Sequence, residues 1–392
     1  IRDSDKVIVT GSVEVYERDG KYQLYAREIE LDGAGNLYLK FEALKKELEE
    51  MGMGVKEFAV RTSKPEKTII AVIKGDSAIT SDMSVAFETV TKIPAHFWMN
   101  KQRAYDEYIA RQKRELLIQN SAEWAMLFPI ADMVKKGWLA PCKTVREKVF
   151  QLFSFFGVST SRAWEDYYFN QQLKVAFRIS LAKTKEPYAI SAWLRQGELQ
   201  AANLEQDVVY SEKSLKELIP QMKTLIATHP QDFAIRLQTL CLQAGIKLIY
   251  TPCLPKAPIN GATRWLNDTP CIQLSGRHKR NDIFWFSFFH EVGHILLHGK
   301  KDIFLENIDY TDKQLEKEHE ADTFASKILL SPSEEAEIIK SGDYTLQSIR
   351  YFAEKFCTHP AIIVGRLQHL KVIPYWQDQE LIEKVDLDSA VK

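Results

Sequence analysis

The chain has 392 residues, 27% of them charged, with a formal net charge of −1 at pH 7. That length expects two or three domains, each able to bury a core, and the near-neutral balance excludes nucleic-acid affinity from overall charge, leaving only a local patch. No apolar run approaches the roughly 20 residues of a membrane span, which excludes a membrane partner, and no signal peptide is visible. The five cysteines (Cys142, Cys241, Cys253, Cys271, Cys357) lack CxxC spacing and leave an odd one over, as expected of reduced thiols in a cytoplasmic protein without a cysteine zinc site.

At the N-terminus, Val7–Tyr16 and Tyr22–Ile29 alternate like two strands turned at Arg18-Asp-Gly20. Residues 5–50, through Gly33–Glu42, resemble the end of the OB-fold domain of the exonuclease VII large subunit. An OB barrel needs five strands, and two are expected here. The nuclease's catalytic region is absent, so residues 1–42 read as a fused, partial OB-like segment that brings no nuclease chemistry. Single-stranded DNA binding would need a completed barrel. Residue 1 is Ile rather than Met, and the expectation is a fragment whose start is missing.

Residues 43–120 carry the next signature. Met53–Ala59, Thr62–Thr68 and Ile69–Gly75 read as two short helices joined by a tight turn, with Pro65 in the first turn of the second and Gly75 at its stop. Lys56, Arg61, Lys64, Lys67 and Lys74 outnumber Glu57 and Glu66, giving a modest basic stripe. With Ile79-Thr80 and Ile93–Asn100, this stretch resembles a helix-turn-helix module of the HigA antitoxin type. The resemblance implies double-stranded operator DNA as a partner, bound by a homodimer. Glu66, Lys67 and Thr68 would read bases at the start of the second helix, and Lys56, Lys64 and Lys74 would contact phosphates.

Residues 121–228 read as a helical linker, punctuated at Gly137–Pro141, Phe156-Gly157, Glu186-Pro187 and Gly197. The aromatic stretches Phe150–Phe156 and Trp164–Phe169 are expected in its core.

The sharpest chemistry lies in His290-Glu291-Val292-Gly293-His294. Four residues make a little over one helical turn, so both imidazoles point one way and can share one ion. Glu291 lies about 100° round from His290, where a general base would stand. Ile283–Phe289 supplies a buried helix to hold them. Catalytic zinc takes three protein ligands and keeps one position for water. Position 297 is Leu and position 300 is Lys, so the class with a third histidine fails. Downstream, Glu316–Leu330 reads as an amphipathic helix with Ala321, Ala325, Ile328 and Leu329 inward. Glu318 falls on that apolar stripe, where a carboxylate is expensive unless paired or bound to metal. Glu318 is therefore read as the third ligand, with Asp322 one turn on orienting a histidine. Glu316 and Glu320 read as a solvated face.

These motifs, with Gly261–Trp265, Asn281–Phe286 and His359–Leu367, resemble the ImmA/IrrE family of zinc metallopeptidase domains over roughly residues 185–375. In that family the first glutamate of the second motif is the third ligand, which agrees with Glu318. The implied fold class is mainly α with α+β parts: the partial OB-like segment, a helix-turn-helix bundle, the helical linker, and a zincin-like metallopeptidase domain over 229–392 holding one Zn²⁺. Gly261–Trp265 and Pro270–Leu274 read as strands whose edge could pair with an extended substrate. For the oxyanion, His359 and His298 are candidates, with Tyr310 and Arg264 weaker. His298 is not expected as a fourth ligand, lying about 80° from His290 on an ideal helix. Two function classes stand open. One is a DNA-bound regulator that cleaves a protein partner. The other is a non-catalytic antitoxin or repressor whose zinc domain folds, senses or binds a cognate toxin.

Overall fold

The computed structural model describes residues 7–16, 21–31, 43–171, 186–205, 207–255, 257, 259–299, 304–305, 312–385 and 387, with backbone alone for 7–16, 21–31, 169–171, 304–305 and 312–314. The readings at Arg18–Gly20, Gly33–Glu42 and Tyr310, and the linker over 172–185, lie outside these residues. Two compact units emerge, Ile1–Gln119 and Asn120–Lys392. The described chain is mainly helical, with one hairpin and one small mixed sheet.

In the first unit, β1 (Val7–Tyr16) and β2 (Lys21–Leu31) pair antiparallel from Val7↔Leu31 to Tyr16↔Lys21, with an irregularity at Thr10/Gly11. Five helices follow: α1 over 43–50, α2 (Val55–Arg61), α3 (Glu66–Lys74), α4 (Ser81–Thr91) and α5 (Ala95–Asn120). Their apolar faces meet around Phe58, Ile69, Val72, Met83, Phe87 and Trp98. The turn between α2 and α3 passes through Ser63 at φ 52°. Pro65 caps α3 from outside rather than entering its first turn: its backbone is extended, and its carbonyl accepts from Thr68 and Ile69. Gly75 ends α3 at φ 85°, the left-handed conformation that favours glycine.

The second unit begins with α6 (Ala122–Met126), α7 (Ile130–Lys135), α8 (Val145–Phe156) and α9 (Ser161–Trp164), the last running into a π-helical turn over Glu165–Gln171. Phe153, Phe155, Phe156, Trp164 and Tyr168 are buried as expected, but Phe150 is 54% exposed, on the outer side of α8. Next come α10 (Pro187–Asn203), α11 (Glu212–Thr228) and α12 (Phe233–Gln243), then strands β3 (Lys247–Tyr250), β4 (Gly261–Leu266) and β5 (Thr269–Leu274). Helix α13 (Asn281–Leu297), the two-residue strand β6 (Phe304–Leu305), α14 (Asp312–Leu329), α15 (Pro332–Ser341), α16 (Leu346–Lys355) and α17 (Pro360–His369) complete the unit.

The sheet order is β3-β5-β4-β6, with β3 parallel to β5 and the remaining pairs antiparallel. Strand side chains alternate between faces. Leu248, Tyr250, Ile272 and Leu274 enter the core shared with α12 and α13, while Ile249 and Cys271 pack with Ala201 of α10. Helix α10 is tied to the sheet by Trp193 Nε1 donating to Thr251 O at 2.9 Å and Gln273 Nε2 donating to Trp193 O at 2.8 Å. Strand β6 pairs with β4 at Ala262↔Leu305 and Thr263↔Phe304. The β4 edge expected to be open is therefore occupied at these positions by the chain itself.

Gly197 overturns another expectation. It lies buried inside α10 and does not break it. A Cβ there would overlap the Gln273 amide, so glycine serves a close approach of helix to sheet. Gly197→Ala should lower unfolding stability by about 1–3 kcal/mol, despite the roughly 1 kcal/mol intrinsic helix preference of alanine. Thermal unfolding followed by circular dichroism would check this; an unchanged or raised midpoint would mean that Gln273 moves aside freely.

Candidate functional site

Helix α13 is apolar almost all round, as a helix buried on every side must be. Trp285, Phe288 and Phe289 are fully buried in its first half, each contributing about 1.5–3 kcal/mol by removal from water. This anchors the following turn, where His290, Glu291 and His294 are also buried. Helix α14 lies against that turn. A Cβ on Gly293 would stand 3.2 Å from Ala321 Cα and 3.2 Å from the Phe324 ring, so the helices approach closely because position 293 has no side chain.

The contact brings Glu318 and Asp322 to the histidines. His290 Nε2 lies 3.0 Å from His294 Nε2 and 3.1 Å from Glu318 Oε2, and His294 Nε2 lies 3.5 Å from Glu318 Oε1. On its far side, His290 Nδ1 meets Asp322 Oδ1 at 2.8 Å. Two ligands bound at about 2.0–2.1 Å to one tetrahedral ion are separated by about 3.3–3.4 Å, close to all three distances. Glu318 Oε1 is buried without a hydrogen-bond partner, a costly arrangement that a cation would relieve. The donor set of two imidazoles and a carboxylate therefore fits a zinc ion.

The electrostatics point the same way. Burial opposes charge on His290, but its hydrogen bonds to Asp322 and Glu318 and the nearby Glu291 outweigh burial and raise its pKa well above the ordinary range. Carboxylates that hold a proton there also favour a cation. Burial, with His290 and His298 alongside, drives the pKa of His294 far down and keeps that imidazole neutral, the form that binds metals.

Glu291 is fully buried beneath β4. A Cβ on Gly261 would come 2.5 Å from Glu291 Oε1, and Thr263 Oγ1 donates to the Glu291 carbonyl at 3.1 Å. Gly261 thus makes room for the carboxylate, a role sequence reasoning missed; its only signal was glycine at the start of a strand.

The oxyanion candidates fare differently. Arg264 points to the opposite face of β4, donating to Leu194 O at 2.8 Å and Glu198 Oε1 at 3.1 Å, because strand alternation turns it away from Thr263 and Glu291. His359 caps α17, its Nδ1 accepting from Ala361 N at 3.2 Å and its Nε2 meeting Glu383 Oε1 at 3.1 Å. It packs beside Asn281, roughly 13 Å along α13 from His290 at 1.5 Å per residue. Neither is placed to stabilise charge beside Glu291. His298 lies next to His294, its Nδ1 at 2.9 Å from His294 Nδ1 and its Nε2 at 2.8 Å from Glu320 Oε2. Glu320 is largely exposed, yet it is tied to that ring.

The candidate DNA residues belong to the first unit. Lys56, Glu66, Lys67 and Lys74 are exposed, and Thr68 is half-buried in the first turn of α3. Lys64 is ion-paired with Asp82 at the start of α4, so its charge is locally balanced.

Several known proteins resemble parts of the chain. The exodeoxyribonuclease 7 large subunit of Lachnoclostridium phytofermentans is 60% identical over 53 residues, 14% of this chain and 13% of that protein. The Staphylococcus carnosus and Clostridioides difficile large subunits are 52% and 37% identical over 52 and 78 residues, 12% and 20% of their lengths. The chain thus spans a small part of each. An addiction module antidote protein of a HigA family from Coxiella burnetii is 27% identical over 21% of this chain and 89% of that one, with a TM-score of 0.20. Residues 241–367, which carry both histidines, Glu291 and Glu318, match the Peptidase_M78 family, the IrrE N-terminal-like domain.

Proposed function

We propose that this protein is a regulator in which a helix-turn-helix segment binds operator DNA and a zincin-like domain hydrolyses a peptide bond of a protein partner. The observation that carries the proposal is the convergence of His290, His294 and Glu318, their ligand atoms within 4.8 Å of one another, on the segment that matches the peptidase family. His290 and His294 would hold one zinc ion through Nε2 and Glu318 through its carboxylate. The chemistry such an ion supplies is Lewis acidity, which brings the pKa of a water toward neutrality.

The chain's own residues do the rest. With an ion bound, Asp322 would accept from His290 Nδ1–H, the tautomer whose Nε2 is free to hold it. Glu291 takes the proton of the water as its oxygen attacks the peptide carbonyl. It then delivers that proton to the amine nitrogen as the C–N bond breaks. Its burial keeps competing bulk water from the carboxylate.

A second reading, a non-catalytic antitoxin or repressor using the zinc domain for folding, sensing or toxin binding, draws support from one observation. Strand β6 occupies part of the β4 edge beside Glu291, where an extended substrate would pair. Neither reading uses the N-terminal hairpin as a nuclease. No helix among the described residues is long and apolar enough to cross a membrane.

Elemental analysis should find about one zinc per chain in wild type and a loss of metal in Glu318→Ala. Full metal in that variant would remove Glu318 from the ligand set. Metal-loaded protein incubated with candidate partner proteins should cleave one of them, and Glu291→Gln should keep the metal but lose about 10²–10⁴-fold in rate. Cleavage at the wild-type rate by this variant would discard Glu291 as the base, and metal binding without any cleavage would favour the non-catalytic reading.

For DNA, Lys67→Ala should relax base preference at one position of each half-site, at a cost of about 1–3 kcal/mol. Lys74→Ala should instead weaken binding to all sequences and reduce the salt slope by about one unit. Binding selection on random duplexes checks both; no enriched motif and no salt-dependent binding would leave α2 and α3 as a helical scaffold.

A further inference from the structure

The two candidate ligand histidines are held from behind by different chemistry. His290 Nδ1 meets a carboxylate directly, whereas His294 Nδ1 meets another imidazole, His298 Nδ1, at 2.9 Å. His298, four residues on, is the C-cap of α13, its ring centroid 5.1 Å from that of His294. Its other nitrogen, Nε2, lies 2.8 Å from Glu320 Oε2 on α14. Helix α14 therefore reaches α13 and its C-cap at three points: Glu318 between the two Nε2 atoms, Asp322 behind His290, and Glu320 behind His298.

Proton positions in this row are constrained. If His294 Nε2 presents its lone pair to an ion, the ring's proton is on Nδ1. His298 Nδ1 must then accept, which places the His298 proton on Nε2, pointing at the Glu320 carboxylate. Every donor in the row Glu320–His298–His294 then has an acceptor at hydrogen-bond distance.

We infer that His298 and Glu320 are positioning residues, which fix the tautomer and ring orientation of His294 for metal binding. The inference rests on the metal reading above. Loss of such a partner behind a ligand histidine typically costs about 10–100-fold in metal affinity.

The test is competition of the full-length protein with a zinc chelator, with folding checked by circular dichroism. His298→Phe keeps a flat ring but has no acceptor, and should lose about 10–100-fold in zinc affinity. In His298→Asn the side-chain oxygen falls near the place of Nδ1, and affinity should return to within about threefold of wild type. Glu320→Ala, which removes the exposed end of the row, should cost about tenfold or less. Nitrogen-correlated NMR of the imidazoles should show a slowly exchanging His294 Nδ1–H in wild type and His298→Asn, and a rapidly exchanging one in His298→Phe. Unchanged affinity in His298→Phe, or equal losses in His298→Phe and His298→Asn, would overturn the positioning role alone. A loss in Glu320→Ala with none in His298→Phe would show that Glu320 acts by its charge and overturn the row. Failure of the wild-type chain to bind zinc would instead overturn the metal reading beneath it.

Discussion

The close approach of α13 and α14 at Gly293 and Ala321 is the constraint on which the candidate site depends. His290 and His294 share a face by helical spacing alone, but Glu318 comes from an element that begins after β6. Only two backbones this near each other let a glutamate reach both Nε2 atoms. A methyl group at position 293 would press on the Ala321 backbone and drive the carboxylate outward. Rigidity comes from the aromatic half of α13, because close-packed interiors resist small displacements. Burying His290, Glu291, His294 and Glu318 together is expensive, and the cost is offset only by their mutual pairing or by an ion.

Much of this arrangement was legible in the sequence because it rests on periodicity. The spacing of His290 and His294 and the inward stripe of Ala321, Ala325 and Leu329 follow from the 3.6-residue repeat of a helix. What failed depends on contacts between distant segments. Gly197 reads as a break until Gln273 is seen against it. Arg264 and His359 are polar residues near the motifs in sequence, but one faces α10 and the other caps α17. The His298–Glu320 contact joins residues 22 apart, and neither side chain signals it alone.

The pair α2 and α3 shows the same division. Its buried positions follow the amphipathic pattern of α2 and α3, whereas the charge on its surface is set by pairing. Lys64 is bound to Asp82 and Arg61 to Glu57, so the positive field falls to Lys56, Lys67 and Lys74. For Lys64 to meet a phosphate it must first leave Asp82, an exchange of one anion for another with little net gain.

The first turn of α13 has an unusual anchor. Its N-cap, Arg280, makes no side-chain capping bond. Instead Asn281 N donates to Glu383 O at 3.1 Å, Glu383 N donates to Asn281 Oδ1 at 3.1 Å, and Val385 N donates to Lys279 O at 3.1 Å. Leu387 fills the space beside Gly276. The helix that carries the histidines is therefore closed at its start by residues about a hundred positions later. During synthesis, which delivers a chain from its N-terminus, those bonds can form only after the segment around residue 385 has left the ribosome. The α13 start thus gains its last supports only once residues about a hundred positions further on have been made, and a nascent chain stopped short of residue 383 carries both histidines on a helix whose first turn is free to fray.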